Sequence, residues 1–231
     1  MLKIKKKIIL SKLVEMLTSE RRTKTHLKRN SNYRGEEVEE AIEFGVSKKI
    51  LKLETQGYVS LEGEMESILE SDYYECIKLM LERHYESKLN DDGRFLVSKT
   101  ARKDTKIAGR WTRPDFTVVA NRKFPYIRES EFDIITFEVK RPSDSEALAV
   151  FEALAHNSAA TRSYVFFPIT AKTLDNSEQG ERIREECVRH GIGLFLVEDE
   201  YSLDVARIEI ESQRRPLNPE KCSQFLQNVL E

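Results

Sequence analysis

Long apolar runs are missing from this chain. No stretch of about 18 apolar residues occurs, so no membrane-spanning helix is expected. The N-terminus, MLKIKKKIILSKLVEML, is basic but has neither a long apolar core nor a small-residue cleavage site, and it reads as mature structure rather than a signal peptide. Cysteine is scarce: Cys76, Cys187 and Cys222 lie far apart and form no Cys-x-x-Cys pair. That excludes a disulfide framework and a structural zinc, and fits a reducing, cytoplasmic setting. A Gly-rich phosphate loop, a Gly-x-Ser-x-Gly turn and a His-Glu-x-x-His helix are all absent. There is no internal repeat and no low-complexity segment.

Charge, by contrast, is abundant. Of 231 residues, 39% are apolar and 34% charged, the composition of a globular chain with a heavily charged surface. The length suits one large domain, or a small domain joined to a medium one. The formal net charge of −2 is unevenly spread. Residues 1–30 hold ten Lys/Arg against two Glu, a local charge of +8, and residues 61–75 hold six acids and no base, a local charge of −6. A basic end can neutralise phosphates even on an acidic chain. The alternative is a solvated charged face.

Apolar periodicity divides the chain at about residue 63. In residues 1–63, Ile8, Ile9, Leu13, Val14 and Leu17 form a helical stripe. Val38, Ile42, Val46, Ile50 and Leu53 form another, which Gly57 is expected to stop before a short strand at Tyr58–Leu61. The long helix, Gly stop and short strand resemble a winged helix-turn-helix. A plain helical interaction or dimerisation module has the same pattern. In residues 64–231 the spacing predicts an amphipathic helix over 65–89, then strands at 95–97, 116–119 and 134–139. Ser143 and Glu146 have capping-box spacing for a helix running to about 160. A strand at 164–167, a helix over 178–190, a strand at 192–197 and a last helix over 219–230 follow. This order predicts an α/β fold with a mixed central sheet flanked by helices, preceded by a small, mostly helical domain.

One constellation carries chemistry. Strand side chains alternate, so Glu138 and Lys140 leave the end of the 134–139 strand on one face, about 7 Å apart along the chain. Val139 between them points to the other face. Asp115, at the start of the 116–119 strand, comes alongside if a loop around 121–131 closes the hairpin. Converging carboxylates are what a hard cation such as Mg²⁺ requires, and a nearby lysine can orient an attacking water. The tripeptide alone decides little, because Glu86-Ser-Lys88 and Asp104-Thr-Lys106 repeat it. Those copies lie at a polar helix end and in a polar loop. Only Glu138-Val139-Lys140 closes an apolar strand and follows a Pro-Asp pair.

With Pro114-Asp115 and, after 22 intervening residues, Glu138-Val139-Lys140, residues 65–231 resemble the PD-(D/E)XK, restriction-endonuclease-like nucleases. The resemblance implies a restriction-endonuclease-like core. It also implies a Mg²⁺ site, with Mn²⁺ able to substitute, in which Asp115, Glu138 and the Val139 carbonyl ligate the metal. Lys140 would position the attacking water and stabilise charge on the phosphate. Many such proteins add an acid from the first helix; Glu70 is the preferred residue, with Asp72 and Glu75 as rivals. The following helix offers His156, Asn157 and Arg162. Arg110, Arg113 and Arg141 bracket the site and could meet backbone phosphates or simply balance the carboxylates. Trp111 could stack on a base or belong to the core.

Two functions follow. One is a metal-dependent endonuclease, with DNA as the expected substrate, in restriction or phage defence by analogy. Cutting both strands with one site per chain would call for a homodimer, a partner protein or repeated nicking. The other is a non-catalytic DNA-binding or assembly protein that keeps a nuclease fold.

Overall fold

The computed structural model describes residues 3–89, 93–101 and 113–230. The chain forms two compact units that divide between Tyr73 and Tyr74. Among the described residues no helix is long and apolar enough to cross a membrane.

The N-terminal unit runs α1 (Lys3–Leu17), β1 (Arg22–Thr23), α2 (Lys24–Asn30), α3 (Gly35–Ser47), β2 (Leu51–Leu53) and β3 (Tyr58–Leu61). Its strands make an antiparallel sheet in the order β1-β3-β2. Ile9, Leu10, Leu13, Leu27, Val38, Ile42, Leu51 and Val59 are buried together as its core. The second apolar stripe is not one helix, because the chain turns at Lys49 instead of at Gly57. Lys49 adopts φ +57°, its N–H donates to Val46 O at 3.0 Å, and Ile50 N–H donates to Gly45 O at 2.9 Å. These two bonds are the Schellman termination, made here with lysine where glycine is usual. Ile50 and Leu53 therefore lie beyond the helix, and Leu53 pairs with Val59. Gln56 (φ +64°) and Gly57 (φ +77°) supply the left-handed turn that joins β2 to β3.

The charge of residues 1–30 is largely compensated within this unit. Lys5 pairs with Glu37 at 2.7 Å, Lys6 with Glu40 at 3.1 Å and Lys28 with Glu39 at 2.7 Å, so α3 answers the bases of α1 and α2. Lys7 pairs with Asp72 at 2.6 Å.

Residues 64–69 have no regular structure, and α4 spans Glu70–Leu89, starting later than the periodicity predicts. Asp72 explains the start: its carboxylate accepts the Leu69 N–H at 2.9 Å, the reciprocal contact of a capping box. The remaining strands are β4 (Gly93–Lys99), β5 (Phe116–Phe124), β6 (Ile127–Val139), β7 (Arg162–Phe166), β8 (Gly193–Val197) and β9 (Ala206–Ile210). They form a mixed sheet in that spatial order. The β4–β5, β5–β6 and β8–β9 pairs are antiparallel, and β6–β7 and β7–β8 parallel.

The loop expected around 121–131 is instead a continuation of the β5–β6 ribbon, which turns at Pro125-Tyr126. The apolar pattern does not predict strand β9. With Arg207 and Glu209 in five residues it looks like surface, and it is an edge strand. Helices α5 (Leu148–Ala155), α6 (Ala171–Asp175), α7 (Gly180–His190) and α8 (Pro219–Leu230) complete the unit. The predicted capping box at Ser143 and Glu146 does not form. Pro142–Asp144 makes a short 3-10 turn, Ser143 Oγ donates to Asp144 at 2.9 Å, and α5 begins after Ala147 without a side-chain cap.

The alternation of β7 and β8 gives the sheet two different cores. Val165, Leu194 and Leu196 pack with Val150 and Ala153 of α5 and Ile183 and Cys187 of α7. On the other face Phe195 lies against Tyr164 at 4.9 Å, Phe137 at 5.2 Å and His84 of α4 at 5.2 Å. Gly193, opposite Tyr164, is required there because a Cβ would overlap the tyrosine ring. Phe195 is fully buried in this aromatic layer, so Phe195→Ala is expected to lower stability by about 3–5 kcal/mol in denaturant unfolding.

Candidate active site

The expected residues meet where β5 begins and β6 ends. Phe116 pairs with Phe137, which brings Asp115 to the level of Glu138. Asp115 N–H donates to Phe137 O at 2.9 Å, but the next link is not made backbone to backbone. Val139 N–H donates instead to the Asp115 carboxylate at 2.8 Å. Pro114 begins the approach to β5, and the Asp115 side chain supplies the acceptor that closes the ladder. The second Asp115 oxygen accepts the Tyr74 hydroxyl of α4 at 2.5 Å. Asp115 is buried, and so is Tyr74.

Glu138 and Lys140 emerge together on the sheet face that carries α5, and Val139 is fully buried. Lys140 Nζ lies 2.7 Å from Glu138 Oε1 and 2.7 Å from Glu152 Oε2 of α5. The other Glu138 oxygen is 3.3 Å from His156 Nε2, in the 3-10 turn that ends α5. All four side chains are largely withdrawn from solvent. Burial pushes the Glu138 carboxyl upward, but the His156 contact and the Lys140 charge outweigh it and hold its pKa below the ordinary value. Burial likewise pulls Lys140 down, and Glu138 and Glu152 more than reverse this, so its pKa stands above normal.

Arg162, Asn157 and Arg141 are engaged by partners of their own. Arg162 opens β7 at the level of Ile135, donating to Ser212 O at 2.6 Å and lying 3.7 Å from Asp133. With its amide turned so that nitrogen faces Ser163 and oxygen faces Arg215, Asn157 bonds both. Arg141 pairs with Asp144 at 2.8 Å, so it balances a local carboxylate. Glu70 is the first residue of α4 and, like Asp72, belongs to the N-terminal unit, while Glu75 is exposed on the same helix. Arg110, Trp111 and the Asp104-Thr-Lys106 copy lie outside the described residues.

No family model and no curated protein matches this chain. Among solved structures it is similar to the SPO1766 protein of unknown function from Silicibacter pomeroyi, with 15% identity over 71% of this chain and 86% of that one and a TM-score of 0.37.

Two members of the cluster, Glu152 and Tyr74, lie outside the Pro-Asp … Glu-x-Lys pattern. Glu152 is the one charged residue in LAVFEALA, and an isolated acid in so apolar a helix is a signal in itself. Tyr74 carries no such mark, because its neighbours Tyr73 and Cys76 are buried too.

The donor chemistry suits a hard cation. Asp115, Glu138 and the Val139 carbonyl are all oxygen donors, although among the described residues no three His, Cys, Asp or Glu side chains form a metal-holding group. In this arrangement Lys140 is the counter-charge of two buried carboxylates. Lys140→Met is expected to cost about 3 kcal/mol at neutral pH, because it strands both acids. Glu138 titrates below its ordinary 4.5 when folded, so its contribution is present above that pH and is lost as pH falls through the folded value. The gap between wild type and variant, read from denaturant midpoints, should therefore narrow in acid.

Proposed function

We propose that the C-terminal unit is a metal-dependent phosphodiesterase acting on nucleic acid, with DNA as its substrate, on a restriction-endonuclease-like core. The observation that carries this reading is the Lys140–Glu138 contact at the end of β6, tied to Asp115 of β5 through the Val139 N–H. The order helix, three antiparallel strands, helix and parallel strand supports it, since it is the order the resemblance implies.

Asp115, Glu138 and the Val139 carbonyl would hold Mg²⁺. An ion of this kind typically uses one or two protein carboxylates and takes its other ligands from water and substrate phosphate. When bound, it supplies charge against the phosphoryl oxygens and acidifies a coordinated water. Lys140, kept protonated by its two acids, serves as a fixed cation that donates to the attacking water and to a phosphoryl oxygen. Glu152 holds that cation in place from α5.

For the N-terminal unit, the order helix, strand, two helices and two strands supports a winged helix-turn-helix that docks on DNA. Because the bases of α1 and α2 are paired with acids of α3, such docking would rest on fewer phosphate contacts than a charge of +8 implies.

The test is incubation of the purified protein with single-stranded, double-stranded and structured DNA and RNA in Mg²⁺ or Mn²⁺. Cleavage is expected, abolished by EDTA and lowered at least about a hundredfold by Asp115→Ala or Lys140→Ala. Full activity in both variants would sink the assignment. Binding that is steeply salt-dependent yet indifferent to metal would instead indicate the non-catalytic role.

A further inference from the structure

Each of the two carboxylates is gripped by a side chain from a helix. Tyr74 of α4 donates to Asp115 Oδ1, and His156 at the end of α5 meets Glu138 Oε2 at 3.3 Å. The remaining oxygens are taken by the Val139 N–H and by Lys140. A carboxylate oxygen has more than one lone pair, so a hydrogen bond on one leaves another to face a cation. What the bond fixes is the direction in which that second lone pair points.

We propose that Tyr74 and His156 are positioning residues, which set Asp115 and Glu138 in the orientation that binds a divalent cation. The inference rests on the metal-dependent reading above and extends it to the residues behind the ligands.

Two features separate this from ordinary packing. The Tyr74 ring is fixed without its hydroxyl: it stands edge-on to Phe116 at 5.5 Å, with Lys99 Nζ over its face at 5.0 Å. The hydroxyl is thus delivered to Asp115 by a ring already in place. His156 is 3% exposed, and among the described residues its Nδ1 has no hydrogen-bond partner. An imidazole buried with one nitrogen unsatisfied is a poor choice where only volume is needed, since an apolar side chain fills space without that penalty. What the imidazole provides here is its other nitrogen. With the proton on Nε2, the ring donates to Glu138 and leaves a bare lone pair at Nδ1 rather than a stranded N–H. Outer hydrogen bonds of this kind orient ligating carboxylates and are commonly worth a factor of about 10–100 in metal affinity.

The experiment is calorimetric titration of the full chain with Mn²⁺, alongside thermal melting, for wild type, Tyr74→Phe, His156→Gln and His156→Asn. Phenylalanine keeps the ring and removes the hydroxyl. The glutamine amide nitrogen reaches the place of Nε2, whereas that of asparagine stops near Nδ1. Tyr74→Phe and His156→Asn are expected to weaken Mn²⁺ binding about 10–100-fold, with His156→Gln within about threefold of wild type. Wild-type affinity in both Tyr74→Phe and His156→Asn overturns the proposal and leaves the metal site standing. Equal losses in His156→Gln and His156→Asn, tracking their melting temperatures, reveal a packing role and overturn it too. If the wild type binds no Mn²⁺ and Asp115→Ala behaves the same, both the proposal and the metal-dependent reading fall.

Discussion

Lys140 sits between two carboxylates that come from different layers of the fold. Glu138 belongs to the strand at the antiparallel-to-parallel change of the sheet, and Glu152 to the helix that crosses from β6 to β7. Three charges withdrawn from water in one place are tolerated only if each is answered by the others and by hydrogen bonds. That requirement constrains how α5 lies on the sheet, alongside the apolar contacts of Val150 and Ala153. At the buried positions of this helix, Ala149, Val150 and Ala153, an acid or base would have to find its own partner in an apolar layer.

The strands of the C-terminal unit were legible because their centres are β-branched and aromatic runs bounded by Pro, Gly or charge. Ile134–Val139 and Tyr164–Phe167 show this plainly. The outer half of the β5–β6 ribbon was not, since Asn121-Arg-Lys-Phe and Arg128-Glu-Ser-Glu have no apolar face to bury. Cross-strand bonding alone makes them strands. The pairing of Glu138 with Lys140 followed from strand alternation. The contacts of Glu152, Tyr74 and His156 with the cluster depend on how helices lie against the sheet, which periodicity does not encode.

The N-terminal unit shows a different gap between pattern and structure. Val38, Ile42, Val46, Ile50 and Leu53 keep a helical spacing, yet the last two lie beyond the helix. A lysine in the left-handed region ends α3, and nothing in the residue type announces it. The basic run of α1 was equally ambiguous. A count of charges along the chain cannot tell a bare cationic surface from one whose partners arrive from α3, and here the partners arrive.

The β5–β6 ribbon separates two jobs along its length. Its Pro125-Tyr126 end is exposed, and Asp115 and Glu138 stand at the opposite end of the same paired strands. Between them both faces are buried, and a one-residue slip would move Phe116, Val118, Ile135 and Phe137 onto the face now filled by Thr117, Ile134 and Thr136. The tip can therefore gain or lose residues in pairs, or change its chemistry outright, without moving the carboxylates. Variation is cheap at one end of this hairpin and forbidden at the other, and the sheet between them works as insulation.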